Sequence, residues 1–215
     1  IVINKLRFMI SMMVETPMNN PSLYPEIFVI LTEGNMEKIN NEIKNKDALN
    51  QRNQYRMTPL IYSAMLGNEE ICNLLLKAGA GTEERDIDGN TALIWAARNN
   101  NVKVINSLLD AKADINARDN AGNTPLMWAT CFGYKDTVET LLKNKAEINI
   151  RNNAGDTPLI LASAFGHIEI VKILIENGAD PFIKNLEGYD SIQTAKLFNR
   201  SDVVKFLESI KKPRK

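Results

Sequence analysis

Few residues in this 215-residue chain are equipped for covalent or metal chemistry: Cys72, Cys131 and a single histidine, His167. A structural zinc site takes four Cys or His ligands, and a nucleophilic Cys/His pair needs both side chains within hydrogen-bond reach. Two cysteines and one histidine, far apart in the chain, supply neither. The sequence also lacks a phosphate-cradling glycine loop and a nucleophile elbow, and its carboxylates are scattered rather than paired. No catalysis, cofactor or metal is therefore expected, and function has to be sought in the surface. Lys plus Arg (26) equals Asp plus Glu (26), so the chain has no overall basic footprint for nucleic acid. No apolar run approaches the ~20 residues that span a bilayer. With 44% hydrophobic and 24% charged residues, the composition is that of a folded domain.

The elements that must position any surface are set by a period. Thr58, Thr91, Thr124 and Thr157 stand 33 residues apart (91 − 58, 124 − 91, 157 − 124). A fixed period of this length signifies stacked repeats. From each Thr the order is Thr-Pro-Leu, a short apolar segment, Gly, a second apolar segment, and a polar stretch. Thr is a helix N-cap, and Pro59, Pro125 and Pro158 occupy the first helical position, where a missing N–H does no harm. Gly67, Gly133 and Gly166, with Asn100 and Asn199 in the same phase, are expected to end the first helix in the left-handed conformation. Lys112 and Lys145 stand where the second helix ends on Gly in other copies, which predicts about 1 kcal/mol of strain at each if the left-handed corner is kept.

The second helix carries Ile71, Cys72, Leu75 and Leu76 in one copy and Ile170, Val171, Leu174 and Ile175 in another. One helix pair cannot bury such a face alone, so neighbouring copies must stack. Asp86 to Gly89, Asp119 to Gly122, Asn152 to Gly155 and Asn185 to Gly188 have Asx first and Gly fourth, the signature of type I turns projecting between pairs.

TPLIYSAMLGNEEICNLLLKAGA, TALIWAARNN, TPLMWATCFG and TPLILASAFGHIEIVKILIENGAD resemble ankyrin repeats, whose motif is Thr-Pro-Leu-His-x-Ala-Ala, Gly-His, an aliphatic helix, then Gly-Ala-Asp. The motif's first His is Ile61, Ile94, Met127 and Ile160 here, and His167 sits at the Gly-His position as a helix-start residue. The resemblance implies an all-α ankyrin-repeat solenoid of stacked helix pairs with projecting β-turns or hairpins. The phase divides the chain into full repeats at 53–85, 86–118, 119–151 and 152–184. A degenerate capping repeat at 20–52 precedes them, and a closing repeat with a basic tail at 185–215 follows. Cys72 and Cys131 then fall two repeats apart, on the order of 20 Å at ~10 Å per helix layer, too far for a disulfide. Both are expected to be free thiols of a reducing compartment.

Residues 1–19 precede the array. Leu6, Met9, Ile10 and Met13 share one helical face, which reads as a capping helix; the alternative is a leftover signal peptide in residues 1–15. The first reading places the protein in the cytoplasm, the second in a secreted or periplasmic location.

The resemblance implies that the first helices line a concave groove that binds a partner protein, with the chain itself monomeric. In the second full repeat Leu93, Ala96 and Ala97 form the buried face, which turns Trp95 and Asn99 toward the groove. Their equivalents at 33-residue intervals include Leu66, Trp128, Phe132 and Phe165. Asp88, Asn90, Asn123, Asp156 and Tyr189 vary in type along the turns and suit selective contacts at the tips. These eleven residues are the candidate partner site. Trp95 and Trp128 have a second role open to them, packing between neighbouring helices. A further column, Arg52, Arg85, Arg118, Arg151 and Lys184, reads as a structural ladder pairing with Asp86 and Asp119, or as a rail for an acidic partner. Two other functions stand beside simple partner binding. One is a regulatory or inhibitory subunit of an enzyme or toxin, and the other a ligand-binding or catalytic role built on residues 1–24.

Overall fold

The computed structural model describes residues 25–210, and within them every regular element is helical. The expectations for residues 1–24 and for the tail 211–215 fall outside the described residues. Twelve α-helices run in six pairs. The pairs are α1 Glu26–Glu33 with α2 Met36–Glu42, α3 Pro59–Leu66 with α4 Glu69–Lys77, α5 Ala92–Arg98 with α6 Val102–Asp110, α7 Pro125–Phe132 with α8 Lys135–Lys143, α9 Pro158–Phe165 with α10 Ile168–Glu176, and α11 Ser191–Leu197 with α12 Ser201–Glu208. A short 3-10 turn, Ala48–Asn50, follows α2.

Helices this short do not persist alone in water, so caps and packing must hold them. Thr58, Thr91, Thr124 and Thr157 each accept a hydrogen bond from the N–H of the third helical residue, at 3.4, 3.4, 3.3 and 3.2 Å. In the last pair Asp190 does the same for Gln193, whose side chain returns the bond to the Asp190 N–H, a complete capping box. First helices end in the left-handed region at Gly67, Gly133 and Gly166 and at Asn100 and Asn199. Lys112 (φ 67°) and Lys145 (φ 68°) keep the left-handed corner that Gly79 and Gly178 make elsewhere, so the strain foreseen there is present.

First helices stack on first helices and second on second, with each first helix also packed on its own partner. The first helices touch their neighbours more extensively than the second helices do. A main apolar core threads between the layers, with a small second cluster of Ile94, Ala117 and Trp128 beside it. Leu60, Leu93, Leu126 and Leu159 from the first helices are fully buried, and so are Leu75, Leu108, Leu141 and Leu174 from the second. Ile61, Ile94, Met127 and Ile160, where the motif has His, are buried as well. Apolar packing there takes the place of a side-chain hydrogen bond.

Candidate functional site

The turns are built from their first residue. One side-chain oxygen of Asp119 accepts from the N–H groups of Ala121 and Asn123 at 2.9 and 2.8 Å. Asp86, Asn152 and Asn185 close their turns in the same way. Each turn then hydrogen-bonds to the one before it. Asn120 N–H donates to the Asp88 carbonyl at 2.9 Å, Asn153 to Ala121 at 3.0 Å and Leu186 to Ala154 at 3.0 Å. That approach needs glycine in fourth place. Gly122 has φ 78°, and a Cβ there would come within 2.5 Å of Asn153 Oδ1 and 2.8 Å of Arg118 Nη2.

The arginine column lies beneath these turns, and it is structural. Arg118 Nη2 donates to the Arg151 carbonyl at 2.8 Å, and Arg151 Nη2 to the Lys184 carbonyl at 3.0 Å. Arg52 and Arg85 reach the carbonyls of Arg85 and Arg118 in turn. The expected pairing with Asp86 and Asp119 is corrected. The guanidinium groups serve backbone carbonyls one repeat ahead, and the column's single ion pair among the described residues is Arg52 with Glu84. Asp86 and Asp119 are instead committed to their own turns and to tryptophans.

Those tryptophans belong to a stack that sequence reading missed. Trp95 Nε1 donates to Asp86 Oδ2 at 2.7 Å and Trp128 Nε1 to Asp119 Oδ2 at 2.9 Å. Between the two rings lies Arg98, only 6% exposed, its guanidinium 4.4 Å from the centre of Trp95 and 4.2 Å from that of Trp128. Its Nη1 donates to Asn90 Oδ1 at 3.3 Å, while Nε has no partner. Burial pulls the guanidinium below its ordinary pKa, and Asp119, Asp86 and Asp88 pull it back up. Phe132 continues the stack, its centroid 5.9 Å from Trp128 and 5.7 Å from Tyr134. A signal for this cluster was present in the sequence. Asp stands nine residues before Trp in both tryptophan-bearing repeats, whereas Tyr62 and Leu161 are preceded at the same distance by Asn53 and Asn152.

The candidate residues divide by depth. Leu66 is 49% exposed, Asp88 and Tyr189 are exposed, and Trp95, Asn99, Asn123, Phe132 and Phe165 are half-buried. Trp128, Asn90 and Asp156 are buried, and their assignment to a contact surface is corrected accordingly. The reason is the same ladder. Asn90 Nδ2 donates to the Asp86 carboxylate at 3.0 and 3.2 Å, and Asp156 Oδ1 accepts from Asn185 Nδ2 at 2.8 Å, so both side chains fold back under the turn. Trp128 takes the packing role left open for it. Half-buried Asn123 accepts from Asn152 at 2.9 Å, and Asn99 donates to the Met65 carbonyl at 2.7 Å.

Both cysteines are free thiols, and burial pushes each up to about 12, helped at Cys131 by Asp156 and Asp119 and at Cys72 by Glu69. Such thiols stay protonated at neutral pH and make poor nucleophiles. His167 precedes α10 as expected and donates from Nε2 to the Cys131 carbonyl at 3.1 Å, stitching one repeat to the last. No group of three or more His, Cys, Asp or Glu among the described residues is arranged to hold a metal ion. No helix among them is long and apolar enough to cross a membrane.

Comparison with known proteins agrees with this architecture. The family described as ankyrin repeats (three copies) matches residues 27–119, 84–152, 101–185 and 127–213. A Rickettsia bellii (strain RML369-C) protein named for its ankyrin repeats is 35% identical over 65 residues, which make up 27% of this chain and 39% of the relative. The chain thus spans about two fifths of that relative's length.

Proposed function

The chain belongs to the ankyrin repeat family, whose members are in general protein–protein interaction modules, and we propose that it binds a partner protein through the groove of first helices and turn tips, without catalysis of its own. One observation carries this reading. Five large hydrophobic side chains are exposed among the described residues: Leu66, Ile87, Leu186, Tyr189 and Leu197. All five lie in the turns or late in a first helix, and the second helices contribute none. Exposed apolar groups gathered on one side of a molecule mark a binding surface, with aromatics as preferred anchors. Half-buried Phe132 and Phe165 continue that side between Leu66 and Leu197.

The test is a double variant, Phe132→Glu with Phe165→Glu. Helicity should be retained and the melting temperature fall only modestly, because both side chains are half-buried and give up only their stacking on Trp128, Tyr134 and His167, while capture of the partner from the source cell falls at least tenfold. Collapse of the fold, or undiminished capture, overturns the assignment to this face.

A further inference from the structure

The turns grip one another at every internal joint. At two of these joints a single asparagine, second in its turn, holds two consecutive carbonyls of the turn before. Asn120 donates from its N–H to the Asp88 carbonyl at 2.9 Å and from Nδ2 to that of Ile87 at 3.1 Å. Asn153 does the same to Ala121 and Asn120, each at 3.0 Å. The next two carbonyls in phase are those of Glu187 and Leu186, and among the described residues neither accepts a hydrogen bond. The space before them is clear. A Cβ on Gly89, Gly122 or Gly155 would stand 2.8, 2.9 and 2.8 Å from the amide nitrogens of Asn120, Asn153 and Leu186, whereas one on Gly188 would meet nothing within 4 Å. Lys184, at the phase of the column arginines, likewise has no hydrogen bond or ion pair for its ammonium among the described residues.

The closing repeat treats its two halves oppositely. Its first helix becomes polar. Gln193 stands at the phase of Ile61, Ile94, Met127 and Ile160, Lys196 at that of Ala64, Ala97, Thr130 and Ser163, and both are exposed, as a capping face should be. Its turn becomes apolar. Leu186, 73% exposed, replaces Asn120 and Asn153, and Tyr189, 37% exposed, replaces Asn90, Asn123 and Asp156. Unfilled main-chain groups along an edge are a template for another chain, and exposed apolar side chains on the same turn mark a surface that is covered.

Resting on the reading that the turn tips bind a protein, we infer that the partner presents a turn of the array's own kind, Asx-Asn-x-Gly, to the turn of residues 185–188. The N–H and Nδ2 of its asparagine meet the Glu187 and Leu186 carbonyls, and the Lys184 ammonium meets the carbonyl just before it. Leu186 and Tyr189 pack on its flank. The inventory of donors rules out a second copy of this chain as the occupant. The N–H groups of Leu186, Glu187, Gly188 and Tyr189 are all engaged, with the Ala154 carbonyl and with Asn185. This edge therefore offers acceptors alone and cannot pair with itself, and Asn120 and Asn153 of another copy are already committed to their own joints.

A defined probe tests this. The 15N-labelled full chain is titrated with a lactam-closed peptide carrying Arg-Asn-Asn-Ala-Gly-Asp, the sequence of residues 151–156, and its amide resonances are followed by NMR. Shifts should centre on Leu186, Glu187 and Gly188 and saturate at millimolar peptide or below. Alanine in place of the peptide's second asparagine should weaken binding about fivefold, through one lost hydrogen bond. The double variant Leu186→Ser with Tyr189→Ser should weaken it by about as much at an unchanged circular dichroism spectrum. Ile87→Ser should change nothing, because Asn120 already fills that carbonyl. If the double variant fails to fold, the alanine peptide alone decides. No shift at millimolar peptide, shifts as large around Ile87, or affinity indifferent to the second asparagine overturns the inference. Capture of the cellular partner that depends on Phe132 and Phe165 but is indifferent to Leu186 and Tyr189 overturns it too, and leaves the protein-binding reading standing. Capture indifferent to both pairs sinks that reading first.

Discussion

Two columns run through this molecule at the same 33-residue period, and they differ in kind. Positions 52, 85, 118 and 151 are all arginine, with Lys184 closing the column, while positions 66, 99, 132 and 165 are Leu, Asn, Phe and Phe. The first column donates to a main-chain carbonyl one repeat ahead, an acceptor that is identical in every layer whatever the side chains around it. The second, at the ends of the first helices, faces no such constant partner. Invariance within the array therefore marks what the repeats need from one another. Variation marks what they are free to offer to something else.

The contrast can be broken or sharpened by substitution, and the largest effect is expected where the two kinds of position meet. Trp128 is variable by phase (Tyr62, Trp95, Trp128, Leu161) yet buried and hydrogen-bonded to Asp119. Trp128→Ala should destabilise by about 3–5 kcal/mol in urea titration, from lost packing and the lost hydrogen bond to the Asp119 carboxylate. A loss below about 1 kcal/mol would return it to the surface class. Next comes Arg118→Ala, expected to cost about 1–2 kcal/mol through the charge-assisted bond to the Arg151 carbonyl. Arg118→Lys should recover only part, since an ammonium cannot reproduce the fork. Full recovery by lysine would mean that charge alone matters in the column.

A smaller effect of opposite sign is expected at Lys145, held at φ 68° where other repeats have glycine. Lys145→Gly should raise stability by up to about 1 kcal/mol, read as a higher urea midpoint at unchanged slope. The smallest change belongs to Asp156→Asn. Because burial and Glu187 hold the Asp156 carboxyl above its ordinary pKa, the ionised form carries a folding penalty at neutral pH that vanishes once the group is protonated in folded and unfolded chains alike. The variant should therefore melt slightly higher than the parent at pH 7, and the gap should close as pH falls below about 4. A gap that widens with acid would refute the assigned cause.

Much of the helix arrangement was legible because it depends on local, repeated chemistry. The Thr caps, the left-handed glycines and asparagines, the strained lysine corners and the alternation of core leucines each need only residue type and phase. The exposure of Leu66 and the half-buried setting of Phe132 and Phe165 were legible for the same reason. Asn90 and Asp156 were misread as tip contacts because Asx residues that open turns hold them beneath, Asp86 of its own turn for Asn90 and Asn185 of the next turn for Asp156, and polarity gives no hint of that reversal. The arginine column was misassigned because a main-chain carbonyl has no letter in a sequence, whereas a neighbouring aspartate does. Helical geometry turns Arg98 toward the groove with Trp95 and Asn99, but it counts angles around one helix and cannot see the two tryptophan rings that close over the guanidinium.

The links between repeats also have a direction. On the turn side, guanidinium groups reach toward the C-terminus, from Arg118 to the carbonyl of Arg151 and from Arg151 to that of Lys184. At the helix ends the donors reach the other way, from Asn101 to Ala64, from His167 to Cys131 and from Arg200 to Ala164. A cut between residues 85 and 86, or between 151 and 152, thus severs bonds of both polarities. The upstream piece keeps an arginine with no carbonyl to hold, and the downstream piece keeps a helix-end donor with no strand of chain behind it. Adjoining units behave as interlocked halves rather than as beads, and a shortened version of this protein will need a new residue at each raw end: a small or hydrated one for the arginine, a self-capping one for the donor.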